Sequence, residues 1–171
     1  CGYTAMIALK RKGEKVARII LTDGPDTYTG GNEDDEFDGM GGNDTISGGG
    51  GNDEIRGGDG NDSIRGDAGN DYIWGGYGND VMNGGLGDDR LYGGYGSDTI
   101  YGGAGDDYIN VNHDGALFYD DVSNVAYGGD GSDQILGGDA ADKLYGGAGG
   151  DYIYGNEGNG SIYGGNGNDN L

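Results

Sequence analysis

The chain has 171 residues, of which 45 are glycine and 1 is proline, and its 31 acidic against 9 basic residues give a formal net charge of −22. This composition excludes an ordinary globular core and predicts a chain that stays disordered until something neutralises its carboxylates. The negative charge disfavours nucleic acids and anionic membranes as partners and favours cations, and no apolar run is long enough to be a transmembrane segment.

The N-terminal segment, residues 1–22, differs from the rest of the chain because it holds five of the nine basic residues. Apolar stretches at 5–9 and 16–21 flank a turn-like sequence around Gly13. We expect two strands joined by a turn, which would cap the following structure or dock onto a neighbouring subunit. A short broken helix is the alternative.

From residue 23 onward the sequence repeats every nine residues. Glycines cluster before an aspartate, and an apolar residue follows that aspartate two positions later, as in the segment 57–65, GGDGNDSIR. One aspartate is replaced by Gly160. The aspartates in phase are Asp26, Asp35, Asp44, Asp53, Asp62, Asp71, Asp80, Asp89, Asp98, Asp107, Asp133, Asp142, Asp151 and Asp169.

This unit, G-G-x-G-x-D-x-U-x with U apolar, resembles the repeat of the repeats-in-toxin (RTX) family. The resemblance extends over residues 23–171 apart from 111–127. It implies a calcium-binding parallel β-roll. For a module of a toxin or hydrolase exported by the type I pathway, it also implies folding triggered by calcium after export.

The residues favour the same fold on physical grounds. The six residues G-G-x-G-x-D suit a turn that needs positive φ angles, and x-U-x suits a short strand whose central residue points inward. Two units would close one coil of 18 residues, so aspartates 18 apart would stack about 4.8 Å from each other. We therefore predict an all-β fold, a right-handed parallel β-roll, with U residues from Tyr28 to Leu171 inside.

Paired carboxylates and glycine carbonyl groups form an all-oxygen donor set, which suits Ca²⁺ better than Zn²⁺. The fourteen aspartates are therefore the predicted metal ligands. Pairs 18 apart within the two repeat blocks, 23–110 and 128–171, give about ten sites, and ten Ca²⁺ would leave a net charge near −2. We expect the metal-free chain to be unfolded and the calcium-bound chain to be folded.

Residues 111–127 separate the two repeat blocks. A surface loop is one interpretation. We prefer a degenerate coil without standard calcium turns, because 17 residues are one short of a full coil, with Phe118 and Ala126 pointing inward. The coils would then keep phase from end to end.

With continuous phase, aromatic residues line up on the two outer faces. One row would run Arg56, Trp74, Tyr92, Asn110, Tyr127, Tyr145, Tyr163, and the other Tyr101, Tyr119, Leu136, Tyr154. Such rows either stiffen the sheets by stacking or form a contact surface for a glycan or another subunit.

The two ends leave the biological role open. The chain stops at Leu171 inside a strand position, so we expect an uncapped end that either belongs to a longer protein or receives the basic N-terminal segment of the next molecule. Cys1 is a lipid-attachment residue, a disulfide partner or a fragment boundary.

We expect no enzymatic activity. His113 is the only histidine, nothing places it beside Ser123, and one Cys with one His cannot form a zinc site. The favoured function is an extracellular or cell-surface bacterial structural protein, a calcium-binding rod of a filament, surface layer or adhesin that self-associates end to end or along its tyrosine rows. The alternative is the calcium-folded module of a secreted toxin or hydrolase.

Overall fold

The computed structural model describes residues 7–9, 17–112 and 122–171, with side chains for 18–112 and 122–171. Over these ranges the chain is all-β. Its strands are β1 (Ile7–Leu9), β2 (Ala17–Ile20), β3 (Thr27–Thr29), β4 (Asp35–Asp38), β5 (Thr45–Gly50), β6 (Glu54–Asp59), β7 (Ser63–Ala68), β8 (Tyr72–Tyr77), β9 (Val81–Leu86), β10 (Arg90–Tyr95), β11 (Thr99–Ala104), β12 (Tyr108–Asn110), β13 (Val125–Asp130), β14 (Gln134–Leu136), β15 (Lys143–Ala148), β16 (Tyr152–Tyr154) and β17 (Ser161–Asn166).

The strands alternate between two sheets. From β2 onward the even-numbered strands and β1 form a nine-stranded sheet, and the odd-numbered strands from β3 to β17 form an eight-stranded sheet. Pairing is parallel throughout, except between β1 and β2. The predicted parallel β-roll is confirmed as a solenoid of two sheets. The described part of the chain includes no helix that is long and apolar enough to cross a membrane.

Most neighbouring strands are offset by 18 residues. Ile55 of β6 lies opposite Ile73 of β8, and Ile46 of β5 lies opposite Ile64 of β7. The turns that join the strands need glycine, as at Gly58 and Gly60 with φ of 108° and 131°. A nine-residue unit therefore gives half a coil.

The core is the row of apolar residues between the sheets. The residues two positions after each aspartate, from Phe37 through Ile153, are at most 1% exposed. Tyr28 and Ile162 are only partly buried and pack against this core. Leu171, which we expected inside, is 64% exposed, since no described strand covers it.

The two described N-terminal segments are strands rather than helix. β1 pairs antiparallel with β2, and β2 continues the nine-stranded sheet by pairing in parallel with β4, where Ile19 lies opposite Phe37. Leu21 is buried, and Arg18 forms an ion pair with Glu36 on the outer face at 3.3 Å. This pair of strands thus extends both the core and the sheet.

The interruption does not add a coil. Thr99 of β11 pairs directly with Val125 of β13, an offset of 26 residues, and Tyr108 of β12 pairs with Gln134 of β14 at the same offset. One turn of the roll is therefore eight residues longer than 18. Ala126 is fully buried as predicted, but opposite Ile100 rather than in the sheet of Ile109. The predicted position of Phe118 lies outside the described residues.

The change of register also corrects the outer rows. Tyr127 belongs with Tyr101, and the four stacked rings of Tyr101, Tyr127, Tyr145 and Tyr163 have centroids 5.0, 4.7 and 4.9 Å apart. Asn110 is followed in its row by Leu136 and then Tyr154. The predicted row joining Asn110 to Tyr127 is wrong because the longer turn moves the following strands to the opposite sheet. Tyr119 lies outside the described residues.

Candidate metal centres

The predicted metal-binding aspartates form two rows, one along each edge of the roll. The first turn row precedes the strands of the eight-stranded sheet, and the second turn row precedes β4 and the later even-numbered strands. The first turn row is Asp26, Asp44, Asp62, Asp80, Asp98, Asn124, Asp142 and Gly160. The second turn row is Asp35, Asp53, Asp71, Asp89, Asp107, Asp133, Asp151 and Asp169.

Each row forms a hydrogen-bonded ladder, which runs from Asp26 to Asp142 in the first row and from Asp35 to Asp169 in the second. The backbone N–H of one aspartate donates to Oδ1 of the aspartate in the next coil, as from Asp44 to Asp62 at 2.8 Å and from Asp71 to Asp89 at 2.7 Å. This bond fixes one carboxylate oxygen in every coil and holds the backbone turns in register. It leaves the second oxygen, Oδ2, available for another partner.

Most of those second oxygens are buried without a hydrogen-bond donor among the described residues. The aspartates between Asp44 and Asp151 are only 1–2% exposed. Burying an ionised carboxylate oxygen without a hydrogen bond or a counter-charge is costly. Oδ2 atoms with no hydrogen-bond partner among the described residues belong to Asp44, Asp53, Asp62, Asp71, Asp80, Asp89, Asp107, Asp133 and Asp151.

Glycines keep the space beside each Oδ2 open. A Cβ atom built on Gly57 would clash with Asp62 Oδ2 and with the carbonyl oxygen of Gly75, one coil further on. The same two kinds of atom flank the corresponding glycine in most other turns, including Gly66 and Gly146. Each turn therefore brings together a buried carboxylate oxygen and a carbonyl oxygen that no side chain separates.

Burial also destabilises the ionised carboxylates. Loss of solvent raises the pKa of Asp53, Asp80, Asp89 and Asp107 to about 7, although a backbone hydrogen bond opposes this effect in each case. The pKa of Asp62 is raised for the same reason. Desolvation likewise raises the pKa of Asp44, Asp71 and Asp133 to about 6.

This donor set fits a hard cation. Carboxylate and carbonyl oxygens are the ligands that Ca²⁺ prefers. No group of three or more His, Cys, Asp or Glu side chains that could hold a metal occurs within 18–112 and 122–171. A calcium ion would therefore be held by aspartate carboxylates together with backbone carbonyl groups such as that of Gly75, not by a cage of side chains.

The structure brings the predicted aspartates together and adds one pair. Pairs 18 apart are linked as expected within both repeat blocks. Asp107 and Asp133, which are 26 apart in sequence, are also linked, because the Asp107 N–H donates to Asp133 Oδ1 at 2.9 Å. The second turn row therefore passes the longer turn without a break.

Asn124 is not among the predicted ligands, because a degenerate coil over 111–127 places it in a turn without a standard calcium site. It occupies the aspartate position of the first turn row, accepts from the Asp98 N–H at 2.7 Å, and donates through its own N–H to Asp142 Oδ1. A sequence signal existed, since residues 124–129, NVAYGG, match D-x-U-x-G-G with asparagine in place of aspartate.

Where a neighbouring carboxylate is missing, ordinary hydrogen bonds take over. Asp142 lies between Asn124 and Gly160, and its Oδ2 accepts from the Gly138 N–H at 2.7 Å. At the start of the row, Asp26 Oδ2 accepts from the N–H and the hydroxyl of Thr22. Beside Gly160 the structure has a small cavity of about 90 Å³, which Asp142 and Ile162 help to line.

A second ladder beside each turn row was also missed. The N–H of Asn61 donates to Asn43 Oδ1 at 2.9 Å, and the N–H of Asn79 donates to Asn61 Oδ1 at 2.7 Å. These residues precede the aspartates, are exposed, and bond in the opposite direction along the roll. Their 18-residue spacing was visible in the sequence, and their role in this structure is to fix the turns.

The residues considered for catalysis do not form a site in the described structure. His113 lies outside the described residues. The carbonyl of Ser123 accepts from the Ser97 hydroxyl at 2.5 Å. The expected lack of enzymatic activity stays a prediction.

Comparison with known proteins agrees with the geometry. The model of the RTX calcium-binding nonapeptide repeat, which spans four copies, matches residues 21–55, 56–91, 83–112, 127–162 and 149–171. These matches cover most of the chain and leave out most of the segment in which the register changes. No curated protein matches the sequence.

Proposed function

The chain belongs to the RTX calcium-binding nonapeptide-repeat family, and from this premise we propose that it is an extracellular structural β-roll which calcium stiffens into a rod. The observation that carries the proposal is the series of buried Oδ2 atoms along both turn rows that have no hydrogen-bond donor among the described residues. Their burial has a cost that bound cations would remove. The glycine carbonyl oxygens beside them complete a donor set suited to Ca²⁺.

We propose one ion for each pair of aspartates that neighbour one another in a row. The second turn row has seven such pairs. The first turn row has four, all before Asn124. Eleven divalent ions would carry as much positive charge as the chain carries negative charge, −22. The pair Asp107–Asp133 raises the sequence-based number of about ten.

Counting bound calcium tests this number. The protein is dialysed against millimolar calcium, and the metal is measured by atomic emission relative to protein. We expect about eleven ions per chain if each linked aspartate pair holds one. A content of four or fewer would contradict the proposal, because most of the buried carboxylates would then lack a counter-charge.

We further propose an extracellular or cell-surface location, since high extracellular calcium suits a chain whose carboxylates need it. A role as a rod in a filament or surface layer would use the long two-sheet solenoid as a stiff spacer. Contacts between molecules would be made end to end or along the row of Tyr101, Tyr127, Tyr145 and Tyr163, in which Tyr101 and Tyr163 are the most exposed.

The second candidate is a calcium-folded module of a secreted toxin or hydrolase, which membership of the RTX family favours. In that case catalysis would belong to another part of a longer protein. Electron microscopy in millimolar calcium separates the two candidates. Filaments or sheets would support the structural protein, and discrete particles at every concentration would favour the module.

A further inference from the structure

A pocket of about 430 Å³ lies on the outer surface of the roll, and none of the turn-row aspartates lines it. It sits where β6 and β8 pass into their turns and is lined by Arg56, Gly58, Asp59, Trp74, Gly75, Gly76 and Tyr77. We refer to it as the Trp74 pocket. Its volume is within the range of small-ligand sites.

Glycine forms the floor of the Trp74 pocket. Gly58 lies opposite Gly76 in the pairing of β6 with β8. In a parallel pair the backbone N–H and C=O groups point along the sheet toward neighbouring strands, so they are directed away from the pocket. The floor is therefore flat, lacks side chains and offers few hydrogen bonds, which leaves recognition to the walls.

Tyr77 provides an aromatic platform. Its ring stacks on Tyr95 of the following coil, with centroids 4.8 Å apart and planes 6° from parallel. The opposite face of the ring therefore turns toward the preceding coil, where the residue at the same register is Asp59. Tyr77 is 60% exposed, so this face is accessible.

Trp74 differs from Tyr77 because its ring is already covered. The Arg56 guanidinium lies 4.9 Å from the ring centroid, and the Tyr72 ring lies 4.1 Å away on a tilted plane. Trp74 is thus a fixed wall of the pocket. It is held in place from two directions and can report on a ligand without moving.

The charged side chains of the pocket are one donor, Arg56, and one acceptor, Asp59. Arg56 contributes N–H donors, although it also pairs with Glu54 and Glu36. Asp59 contributes an exposed carboxylate. Asp59 and the strongly acidic chain would repel an anionic ligand, and Arg56 would repel a cationic one. A neutral ring that carries hydroxyl groups can use both, because each hydroxyl donates and accepts.

We propose that the Trp74 pocket binds a pyranose unit of a neutral glycan. The apolar face of the sugar stacks on the open face of Tyr77, its hydroxyls donate to Asp59 and accept from Arg56, and Trp74 closes the side. Gly75 also lines the pocket, and its carbonyl oxygen flanks the same space as Asp62 Oδ2, so this role needs the calcium-bound roll. It gives the rod a chemical class of partner that the repeats alone do not indicate.

Trp74 is the only tryptophan of the chain, so its fluorescence reports on this pocket alone. The calcium-bound protein is titrated with the methyl glycosides of glucose, galactose, mannose and N-acetylglucosamine. We expect a saturable change in Trp74 emission with at least one of them. Tyr77→Ala should lower the affinity for that sugar about tenfold, because the stacking surface is lost.

Three further variants test whether a loss of sugar binding is specific to the side chains of the pocket. Tyr77→Phe keeps the ring and should keep binding within about twofold. Asp59→Ala should weaken binding through loss of the acceptor, and it gives a second result if Tyr77→Ala does not fold. Tyr154→Ala, which removes an exposed tyrosine (54%) of the same sheet far along the chain, should bind like the wild type. Circular dichroism in calcium verifies the fold of each variant.

Two results would overturn the proposal. One is that none of the four glycosides gives a saturable change up to its solubility while the protein is folded in calcium. The other is that Tyr77→Ala binds as tightly as the wild type. A proline-rich peptide that changes Trp74 emission where the sugars do not would assign the pocket to a protein partner instead. Failure to fold in calcium would be seen separately by circular dichroism.

Discussion

The two turn rows share one backbone design but differ in completeness. The second turn row carries an aspartate in every coil from Asp35 to Asp169, whereas the first has Asn124 and Gly160 in its last three positions. In the complete row, buried Oδ2 atoms lack donors, as at Asp71 and Asp133. In the incomplete part, Asp142 Oδ2 has a backbone donor. The same turn can therefore be completed by backbone hydrogen bonds or left open for a cation.

Acidification acts on both rows at once and should have the largest effect. Burial raises the pKa of Asp53, Asp89 and Asp107 in the second row to about 7, and that of Asp80 in the first row to about 7. The folded state therefore binds more protons than the unfolded chain, whose aspartates titrate near the ordinary value of 3.8. This contribution to stability is complete below that value and is lost as the pH rises through about 7.

We accordingly expect that, in excess chelator, lowering the pH from about 8 to about 5 increases β structure measured by circular dichroism. Protons would replace calcium as the means of neutralising the rows. Calcium affinity should fall over the same range, since protons and calcium compete. An unchanged spectrum in chelator between these two pH values would contradict the raised pKa values.

One aspartate whose Oδ2 lacks a donor and one whose Oδ2 has a donor can each be replaced by asparagine. The calcium dependence of the lost stability should then distinguish a metal site from a hydrogen-bonded turn. Asp71→Asn removes a charge shared by two aspartate pairs, so the free energy of unfolding in calcium should fall by about 3–5 kcal/mol. At limiting calcium the same change should cost less, because it then removes a buried charge that has no partner.

Asp142→Asn is the matched variant. It loses the hydrogen bond from Gly138, so we expect a loss of about 1–3 kcal/mol that does not depend on calcium. Denaturant unfolding of both variants at saturating and at limiting calcium measures the difference. Equal calcium dependence of the two variants would remove the distinction between the two environments.

Repairing the first turn row should have a smaller effect in the opposite direction. Asn124→Asp creates two further aspartate pairs, with Asp98 and Asp142, while keeping the oxygen that accepts from the Asp98 N–H. We expect bound calcium to increase by up to two ions. The free energy of unfolding should rise by about 1–3 kcal/mol in millimolar calcium.

Asn83→Asp is the control for Asn124→Asp, because it makes the same chemical change on the outer face of β9, outside both rows. It should leave the calcium content unchanged. Calorimetric titration of the two variants compares them directly. A gain of calcium by Asn83→Asp, or none by Asn124→Asp, would show that position in the row does not decide binding.

The smallest expected change in stability concerns two turn positions where this chain has another residue in place of the usual glycine. Met40 has φ of 67° and Asp67 has φ of 74°, where most turns have glycine. Met40→Gly should raise the free energy of unfolding in calcium by about 0.5–1 kcal/mol, because it relieves a left-handed conformation. Asp67→Gly should give no gain, since it also removes the bonds of Asp67 to Ser47 and Arg65. Thermal unfolding in calcium compares the two, and an equal gain would contradict this account.

The regular part of the molecule was predictable because one repeat fixes several features together. The nine-residue step specifies the turn, the inward residue and the stacked aspartate, so the burial of Ile55 and the link from Asp53 to Asp71 followed from sequence. The irregular turn was not predictable in the same way. An interval of 17 residues is nearly one coil in length, and only strand pairing shows that Val125 follows Thr99 across the sheet.

The same ambiguity explains the errors on the outer faces. Successive nine-residue units belong to alternate sheets. One misplaced unit therefore assigns every later outward residue to the wrong sheet. For this reason Tyr127 was predicted in the row of Asn110 but lies in the row of Tyr101. The hydrogen bonds of Asp142 could not be foreseen either, because they depend on how one local turn replaces a missing neighbour.

The central claim is that calcium drives folding of the roll, and circular dichroism at about pH 8 tests it most directly, since most of the buried aspartates are then ionised. We predict that the chain in excess chelator lacks β structure, and that titration with calcium restores it in one cooperative transition. Full β structure in chelator at this pH would contradict the account, because the buried carboxylates would then be stable without a cation.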